Sequence, residues 1–225
     1  NKTIQNYSFE DDDIISLGDK VEISQVTSKK GGVVLKVGSN TITIENTEKF
    51  NFTQGDDTKT YDNKMLISDK SVMLASDYKE KVFDLNAEGN EIYNHVSAEL
   101  SKKAIEIIGD EENNSLVGGK GRDILRGGDN DDTLDGGKGN DTLWGGSDDA
   151  DTFIYRAGDG TDTIMDYNYD DGDLLQILDK KGNEISNPIK KYSFDGDDLT
   201  LSIKGGGKVI LANLGTSETK TIKYN

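Results

Sequence analysis

The sequence contains no cysteine, one histidine and one proline among its 225 residues. Without thiols the chain can form no disulfide framework, zinc-thiolate site or cysteine nucleophile, and a single imidazole excludes a multi-histidine zinc centre. A nucleophilic triad would have to use His95, whose segment NHVSAE is typical of an ordinary surface strand or helix. We therefore predict that this chain is not an enzyme and has no catalytic residue.

Long apolar runs are also missing. Apolar residues make up 32% of the chain, and no run approaches the length of about 18 residues that a membrane-spanning helix needs. Asn1 opens a strand-like pattern rather than a basic and apolar leader. The sequence thus predicts neither membrane insertion by this segment nor a cleavable signal at its start.

Basic side chains are scarce relative to acidic ones. Lysine and arginine number 26 against 43 aspartates and glutamates, and the net charge is -17. Such a balance disfavours binding to the phosphates of nucleic acid or to anionic lipid by bulk attraction. Metal cations are the expected counterions, and no nucleic-acid partner is predicted.

Glycine and aspartate are concentrated in a repeat with a period of nine residues. Five copies begin at Gly109, Gly118, Gly127, Gly136 and Gly145 and read GDEENNSLV, GGKGRDILR, GGDNDDTLD, GGKGNDTLW and GGSDDADTF. The eighth place carries Leu116, Leu125, Leu134 and Leu143, and Phe153 follows after one extra residue. The sixth place carries Asn114, Asp123, Asp132 and Asp141, with Asp151 in the lengthened copy.

Each nonapeptide is predicted to be a turn followed by a three-residue strand. Two or three glycines in nine residues exclude a helix interior, where each costs about 1 kcal/mol relative to alanine. In Thr142-Leu143-Trp144 the central leucine would point inward. Two copies make one coil of 18 residues, so stacked coils form two facing parallel sheets with the sixth places along both edges.

These residues resemble the RTX, or haemolysin-type calcium-binding, family, whose motif GGxGxDxUx is matched in full by GGKGRDILR and GGKGNDTLW. The resemblance implies that each calcium ion lies between turns one coil apart. A first ion is expected among Gly118, Lys120, Arg122, Asp123, Gly137, Gly139 and Asp141. A second is expected among Gly127, Asp129, Asp131, Asp132, Gly146, Asp148 and Asp151.

Weaker sites are expected at the two ends of the repeat. One would join the turn of Asn114 to the turn of Asp132, and another would join the fourth copy to Gly158, Gly160 and Asp162. In the first copy Glu112 replaces a glycine and Asn114 an aspartate, so its site is weaker. Every proposed ligand is an oxygen, which suits calcium, and three to five ions are predicted in all.

A second, longer repeat relates the flanks of the nonapeptides. Residues 3–17, TIQNYSFEDDDIISL, align without a gap on residues 163–177, TIMDYNYDDGDLLQI, at an offset of 160. Each segment is followed by an alternating pattern that predicts a β-hairpin, at 31–46 and 196–213. The interpretation is an array with a period near 160 residues, in which another nonapeptide block precedes Asn1.

The predicted fold is therefore all-β, a short parallel β-roll flanked by antiparallel β-hairpin units that act as caps. We divide the chain into a first post-repeat β unit (1–57), a spacer and cap (58–108), the β-roll (109–155) and a second post-repeat β unit (156–225). Within the spacer we predict short strands at 64–67, 72–75, 81–85 and 104–108, and a short helix at 94–103.

These features favour a calcium-binding structural module that folds after export, part of a large secreted or cell-surface bacterial protein of the adhesin type. Its expected partners are calcium, neighbouring modules of the parent chain and the type I secretion machinery. The alternative is the noncatalytic C-terminal calcium-binding and secretion domain of a secreted hydrolase or pore-forming toxin.

Overall fold

The computed structural model describes residues 2–4, 14–17, 23–29, 32–37, 40–45, 50–54, 57–62, 65–68, 71–74, 78, 80–87, 90, 93–214 and 222–224. The chain divides into two compact units, Asn1–Lys79 and Glu80–Asn225. The described residues contain strands and no helix, which confirms the all-β class.

The described residues of the first unit form nine strands: β1 Lys2–Ile4, β2 Ile14–Leu17, β3 Ile23–Lys29, β4 Gly32–Val37, β5 Asn40–Glu45, β6 Phe50–Gln54, β7 Asp57–Asp62, β8 Met65–Ser68 and β9 Ser71–Leu74. The described residues of the second unit form thirteen: β10 Val82–Asp84, β11 His95–Ser97, β12 Glu106–Ile108, β13 Ser115–Val117, β14 Ile124–Arg126, β15 Thr133–Asp135, β16 Thr142–Trp144, β17 Thr152–Arg156, β18 Thr161–Ile164, β19 Leu174–Leu178, β20 Ile189–Asp195, β21 Asp198–Ile203 and β22 Lys208–Leu211.

The nonapeptides form the predicted parallel roll. Alternate strands pair in two parallel ladders, β10-β12-β14-β16-β18 and β11-β13-β15-β17-β19. In the central coils Ile124 lies opposite Thr142 and Ser115 lies opposite Thr133, so each step of a ladder is one coil of two nonapeptides. The stack continues beyond the nonapeptides in both directions, because β10 to β12 and β17 to β19 join the same ladders.

The core of the roll is the row of eighth-place side chains. Leu116, Leu125 and Leu134 are fully buried and Leu143 is 2% exposed. Each lies at the centre of a three-residue strand whose first residue is only partly buried, so one side chain in each strand points inward. Burying a leucine contributes about 1.5–3 kcal/mol, and Phe153 extends the row into the lengthened copy.

The two post-repeat β units have the same topology. The first has the strand order β1-β5-β4-β3 and the second β18-β22-β21-β20. In both, one parallel pair is followed by two antiparallel pairs, and the ladder shifts register at Ile23/Gln25 in one unit and at Ile189/Lys191 in the other. The hairpins predicted at 31–46 and 196–213 are confirmed as β4–β5 and β21–β22.

The repeat with an offset of 160 residues is thereby confirmed as a structural repeat over its described part. Residues 5–13 and 18–22, which the alignment also includes or adjoins, lie outside the described residues. Equivalent inward positions are buried in both units, as Val33 and Leu35 in β4 and Leu199 and Leu201 in β21 show. The same alternation of apolar residues therefore builds the same sheet twice.

The spacer is a continuation of strands. β8, β9, β10 and β12 confirm the four short strands predicted there. The helix predicted at 94–103 is wrong, because His95–Ser97 is the strand β11 and pairs in parallel with β13. Val96 is fully buried in the row of Leu116, and that row requires the period of two rather than the period of a helix.

Candidate metal centre

One edge of the roll carries a ladder of sixth-place aspartates. Asp123, Asp141 and Asp162 are at most 3% exposed. The amide of Asp123 donates to Oδ1 of Asp141 at 2.8 Å, and the amide of Asp141 donates to Oδ1 of Asp162 at 3.1 Å. The carboxylates of Asp141 and Asp162 therefore each join their own turn to the turn one coil earlier in the chain. This explains why an aspartate recurs at the sixth place.

The opposite edge repeats the arrangement. The amide of Asn114 donates to Oδ1 of Asp132 at 2.7 Å, the amide of Asp132 to Oδ1 of Asp151 at 2.9 Å, and the amide of Asp151 to Oδ1 of Asp173 at 3.0 Å. Asn114 uses its own side chain within its turn, where its Oδ1 accepts from the amide of Asp110 at 2.8 Å. In the first copy the asparagine therefore still closes its turn, through a hydrogen bond to its side-chain oxygen.

Two carboxylate oxygens in these ladders are buried without a hydrogen-bond donor among the described residues. They are Oδ2 of Asp132 and Oδ2 of Asp141, in residues that are each 1% exposed. A buried and unpaired carboxylate oxygen is costly. Both orphaned oxygens belong to turns in which the sequence predicts calcium, and a hard cation that prefers oxygen ligands would satisfy them. The residues present therefore fit that ion.

The environment of these carboxylates disfavours their charge. Burial raises the pKa of Asp132, Asp141 and Asp151 to about 7, although hydrogen bonds from backbone amides act in the opposite direction. Burial likewise raises the pKa of Asp162 to about 8, with Asp141 and Asp159 adding repulsion. The edge of the roll thus holds carboxylates that require either a proton or a cation.

We expect the metal-free roll to be more stable in mild acid than at neutral pH. The folded-state pKa values near 7 lie above the usual value of 3.8, so the stability that protonation provides is present below about pH 4 and is lost as the pH rises through about 7. Circular dichroism in excess chelator should show more β structure at pH 5 than at pH 8. With calcium in place of chelator the trend should reverse, because protons compete with the ion. A chelated protein that loses β structure on acidification would contradict this.

Close stacking of the turns requires glycine at particular positions. Gly139 has a φ of 149°, and a Cβ there would overlap the carbonyl oxygen of Gly121 in the turn one coil away. Asn130 and Asp148 take the corresponding place in the third and fifth copies with φ of 71° and 68°, a region that asparagine and aspartate tolerate better than other residues. The third and fifth copies therefore turn with a different backbone conformation from that of Gly139, one that accommodates a side chain.

The variant Gly139→Ala should destabilise the calcium-loaded protein far more than Gly182→Ala. Both glycines have positive φ, but a Cβ at Gly182 meets nothing within 4 Å. The control therefore measures backbone strain alone, about 1 kcal/mol, whereas Gly139→Ala must also separate two stacked turns and should cost several times that. Urea unfolding at saturating calcium tests the difference. Equal losses of unfolding free energy in the two variants would show that close stacking of these turns does not contribute to stability.

The structure stacks the turns that the sequence predicted to share ions. For the first site, the amide of Lys138 in one turn donates to the carbonyl of Gly119 in the other at 2.9 Å. For the second, a Cβ at Gly146 would overlap the carbonyl oxygen of Gly128. Four predicted residues are expected to contribute their backbone carbonyls, and their side chains are exposed: Lys120, Arg122, Asp129 and Asp131. The side chain of Asp148, in the other turn of the second site, is exposed as well.

Two further aspartates, Asp166 and Asp173, lie at the edge that carries Asp151, and the sequence analysis did not predict them there. Asp173 accepts from the amide of Asp151, and Oδ1 of Asp166 accepts from the amide of Gly145 at 3.1 Å. Burial raises the pKa of both carboxyls. Asp173 precedes the buried Leu175 by two residues, as Asp141 precedes Leu143, and this spacing was the available signal.

Within the described residues, no three carboxylate or imidazole side chains form a metal-binding group. An ion between two turns would therefore need backbone carbonyls as well as the aspartates, and calcium accepts such mixed oxygen ligands. His95 lies elsewhere. Its Nδ1 is 2.9 Å from the hydroxyl of Ser115, its direct neighbour across the parallel pair β11–β13, and burial lowers its pKa.

Two comparisons with known proteins found similarities to this chain. The family model of the RTX calcium-binding nonapeptide repeat, in four copies, matches residues 108–143 and 127–164. The crystal structure of the extracellular lipase LipA from Serratia marcescens aligns with 94% of this chain at 16% identity and a TM-score of 0.44, and the chain spans about a third of its length, 32%. No curated protein matches the sequence.

No described residue belongs to a helix long and apolar enough to cross a membrane. The resemblance that the nonapeptides carried is confirmed by the family match and by the parallel coil into which they fold. Residues 108–164 are therefore RTX calcium-binding nonapeptide repeats, and the roll that they build is a calcium-binding module.

Proposed function

We propose that this chain is a structural module whose roll folds when calcium binds between its stacked turns. The observation that carries the proposal is the pair of buried and unpaired oxygens, Oδ2 of Asp132 and Oδ2 of Asp141, within turns of the calcium-binding repeat. A protein interior does not retain such oxygens without a partner. Calcium supplies that partner and also neutralises the repelling carboxylates.

The ligands of the two principal sites are proposed as the sequence indicated them. The first set is Gly118, Lys120, Arg122, Asp123, Gly137, Gly139 and Asp141, and the second is Gly127, Asp129, Asp131, Asp132, Gly146, Asp148 and Asp151. Asn114 and Asp162 belong to weaker sites at the ends. Stacking of the paired turns supports both principal sets, and the proposed total is three to five ions.

Calcium-dependent folding suits a protein that crosses a membrane unfolded. Inside a cell low calcium leaves the roll open for export, and outside the cell calcium folds it. At a free concentration ten times the dissociation constant, each site contributes about 1.4 kcal/mol to stability. Three to five such sites therefore contribute about 4–7 kcal/mol, which is comparable with the whole stability of a small domain.

The parent is proposed to be a large secreted or cell-surface bacterial protein of the adhesin type, exported by a type I secretion machinery. The duplicated β unit supports this proposal, because a repeated unit is expected in an array of modules and is not expected in a single tail. The alternative, a noncatalytic tail of a secreted hydrolase or toxin, would share the same calcium sites.

Calorimetric titration of the chelator-treated protein tests the proposed function. We expect three to five calcium ions per chain and no comparable binding of magnesium, which retains its own water and demands a smaller site. A matched variant, Asp141→Asn together with Asp132→Asn, should lose the two principal sites. A stoichiometry below two in the unaltered protein, or equal binding of magnesium, would overturn the proposal.

A further inference from the structure

Two strands of the first unit lie at the ends of their sheets. β1 pairs in parallel with β5, and β2 pairs in parallel with β6. Within the residues that the structure describes, neither strand has a partner on its other side. As far as the described residues show, the first unit therefore presents two strand edges, at β1 and β2, with unpaired backbone donors and acceptors.

The equivalent strands of the second unit show what such edges bind. β18 corresponds to β1 and β19 to β2 at the offset of 160 residues. β18 lies between β22, the counterpart of β5, and β16 of the nonapeptide stack. β19 pairs with β17 of the stack on one side, and on its other side Leu175 bridges Tyr224 as Ile15 pairs with Phe52.

The side that is open in β1 and β2 is therefore the side that carries nonapeptide strands in the second unit. β16 and β17 pair there in parallel, with Thr142 opposite Thr163 and Thr152 opposite Leu174. Both contacts are made at once in the second unit by strands from two successive nonapeptides. A partner that offered only one strand would leave the other edge open.

We propose that β1 and β2 of the first unit form a docking edge for the end of a calcium-binding nonapeptide stack. The strand in the position of β16 adds to β1, and the strand in the position of β17 adds to β2. The occupant is a nonapeptide stack placed ahead of the unit in one chain, of the kind that residues 109–156 form. The proposal rests on the proposed function only in requiring that such a stack folds with calcium.

One residue of the first unit departs from the second. Lys2 stands where Asp162 accepts the amide of Asp141. Docking at β1 therefore lacks the carboxylate that joins the two turns at this edge and relies on the strand ladders. The variant Lys2→Asp restores the carboxylate and should strengthen the contact.

The test uses an extended chain in which a second copy of residues 80–161 is joined directly to Lys2 of the full chain, because Asn1 aligns with Thr161. Amide hydrogen exchange is measured at Lys2–Ile4 and Ile14–Leu17 with calcium and with chelator. We expect exchange to slow at least tenfold at both strands relative to the unextended chain, in calcium only. The amides of Thr161–Ile164 serve as the internal reference. The extended chain with Lys2→Asp should show more protection at both strands. The extended chain in which Asp123, Asp132 and Asp141 of the added copy are changed to alanine should show none.

The outcomes separate this inference from the proposed function. If the added copy folds in calcium but β1 and β2 exchange as fast as before, with Lys2 or with Lys2→Asp, the docking edge is refuted. An added copy that stays open while the native copy folds also overturns it, because a docking edge would have capped and stabilised the added stack. If neither copy folds in calcium, the proposed function itself fails.

Discussion

In excess chelator at neutral pH, the roll formed by β12 to β19 is expected to lose its parallel strands, and millimolar calcium should restore them in one cooperative transition. Between Gly109 and Asp173 the chain carries 18 acidic and 5 basic side chains. Repulsion among them opposes a compact state. Ordering the backbone on folding costs a further free energy of about 1–2 kcal/mol per residue.

The leucine row is too narrow to offset these costs alone. Each three-residue strand of the nonapeptides buries one central aliphatic side chain, such as Leu125 or Leu134. The ladders also bury aspartates whose charge has no cation partner in the chelated protein. We therefore expect the chelated chain to remain expanded, with the stability of the roll determined by calcium.

Far-UV circular dichroism and amide exchange during a calcium titration measure the transition. Protection should appear together at Leu116, Leu125, Leu134 and Leu143, since each coil is stable only against its neighbours. Magnesium at the same concentration is the matched control and should restore little structure. An unchanged β signal in excess chelator would show that calcium does not drive folding.

Much of the roll could be predicted because its signal is a strict period. Two glycines, an aspartate and a leucine at constant spacing predict the turn, the edge and the inward side chain of each copy, and Asp123 and Leu125 lie where that spacing places them. The coils outside the nonapeptides could not be predicted in the same way. In β11 only Val96 marks the inward row, and a single apolar residue does not distinguish a short strand from a helix.

The ladder of hydrogen bonds at the edges of the roll also could not be predicted from the sequence. Asp166 follows the last nonapeptide, so the period of nine residues gives no signal for it. In the structure its carboxylate accepts the amide of Gly145. Such a contact joins residues 21 apart through coils of unequal length, and a fixed period of nine cannot locate it.

The variant Asp141→Asn should lower calcium affinity about tenfold or more, whereas Asp166→Asn should have a much smaller effect. In Asp141→Asn the amide oxygen can still accept the amide of Asp123, but an NH2 group, which is a donor and would not bind a cation, replaces the orphaned Oδ2. Asp166 uses its carboxylate for the amide of Gly145, and the first unit carries Asn6 at the equivalent position of the sequence. Calorimetric titration of the two variants measures the difference.

The same variant should have the opposite effect in chelator, and this change of sign separates a ligand from a structural residue. Burial raises the pKa of Asp141 to about 7, so its charge opposes folding of the metal-free roll. Removing that charge while keeping the hydrogen bond to Asp123 should leave the chelated variant with at least as much β structure as the unaltered protein. With calcium, the urea midpoint of the variant should instead fall. A midpoint and a β signal that both fall, with and without calcium, would assign Asp141 a structural role only.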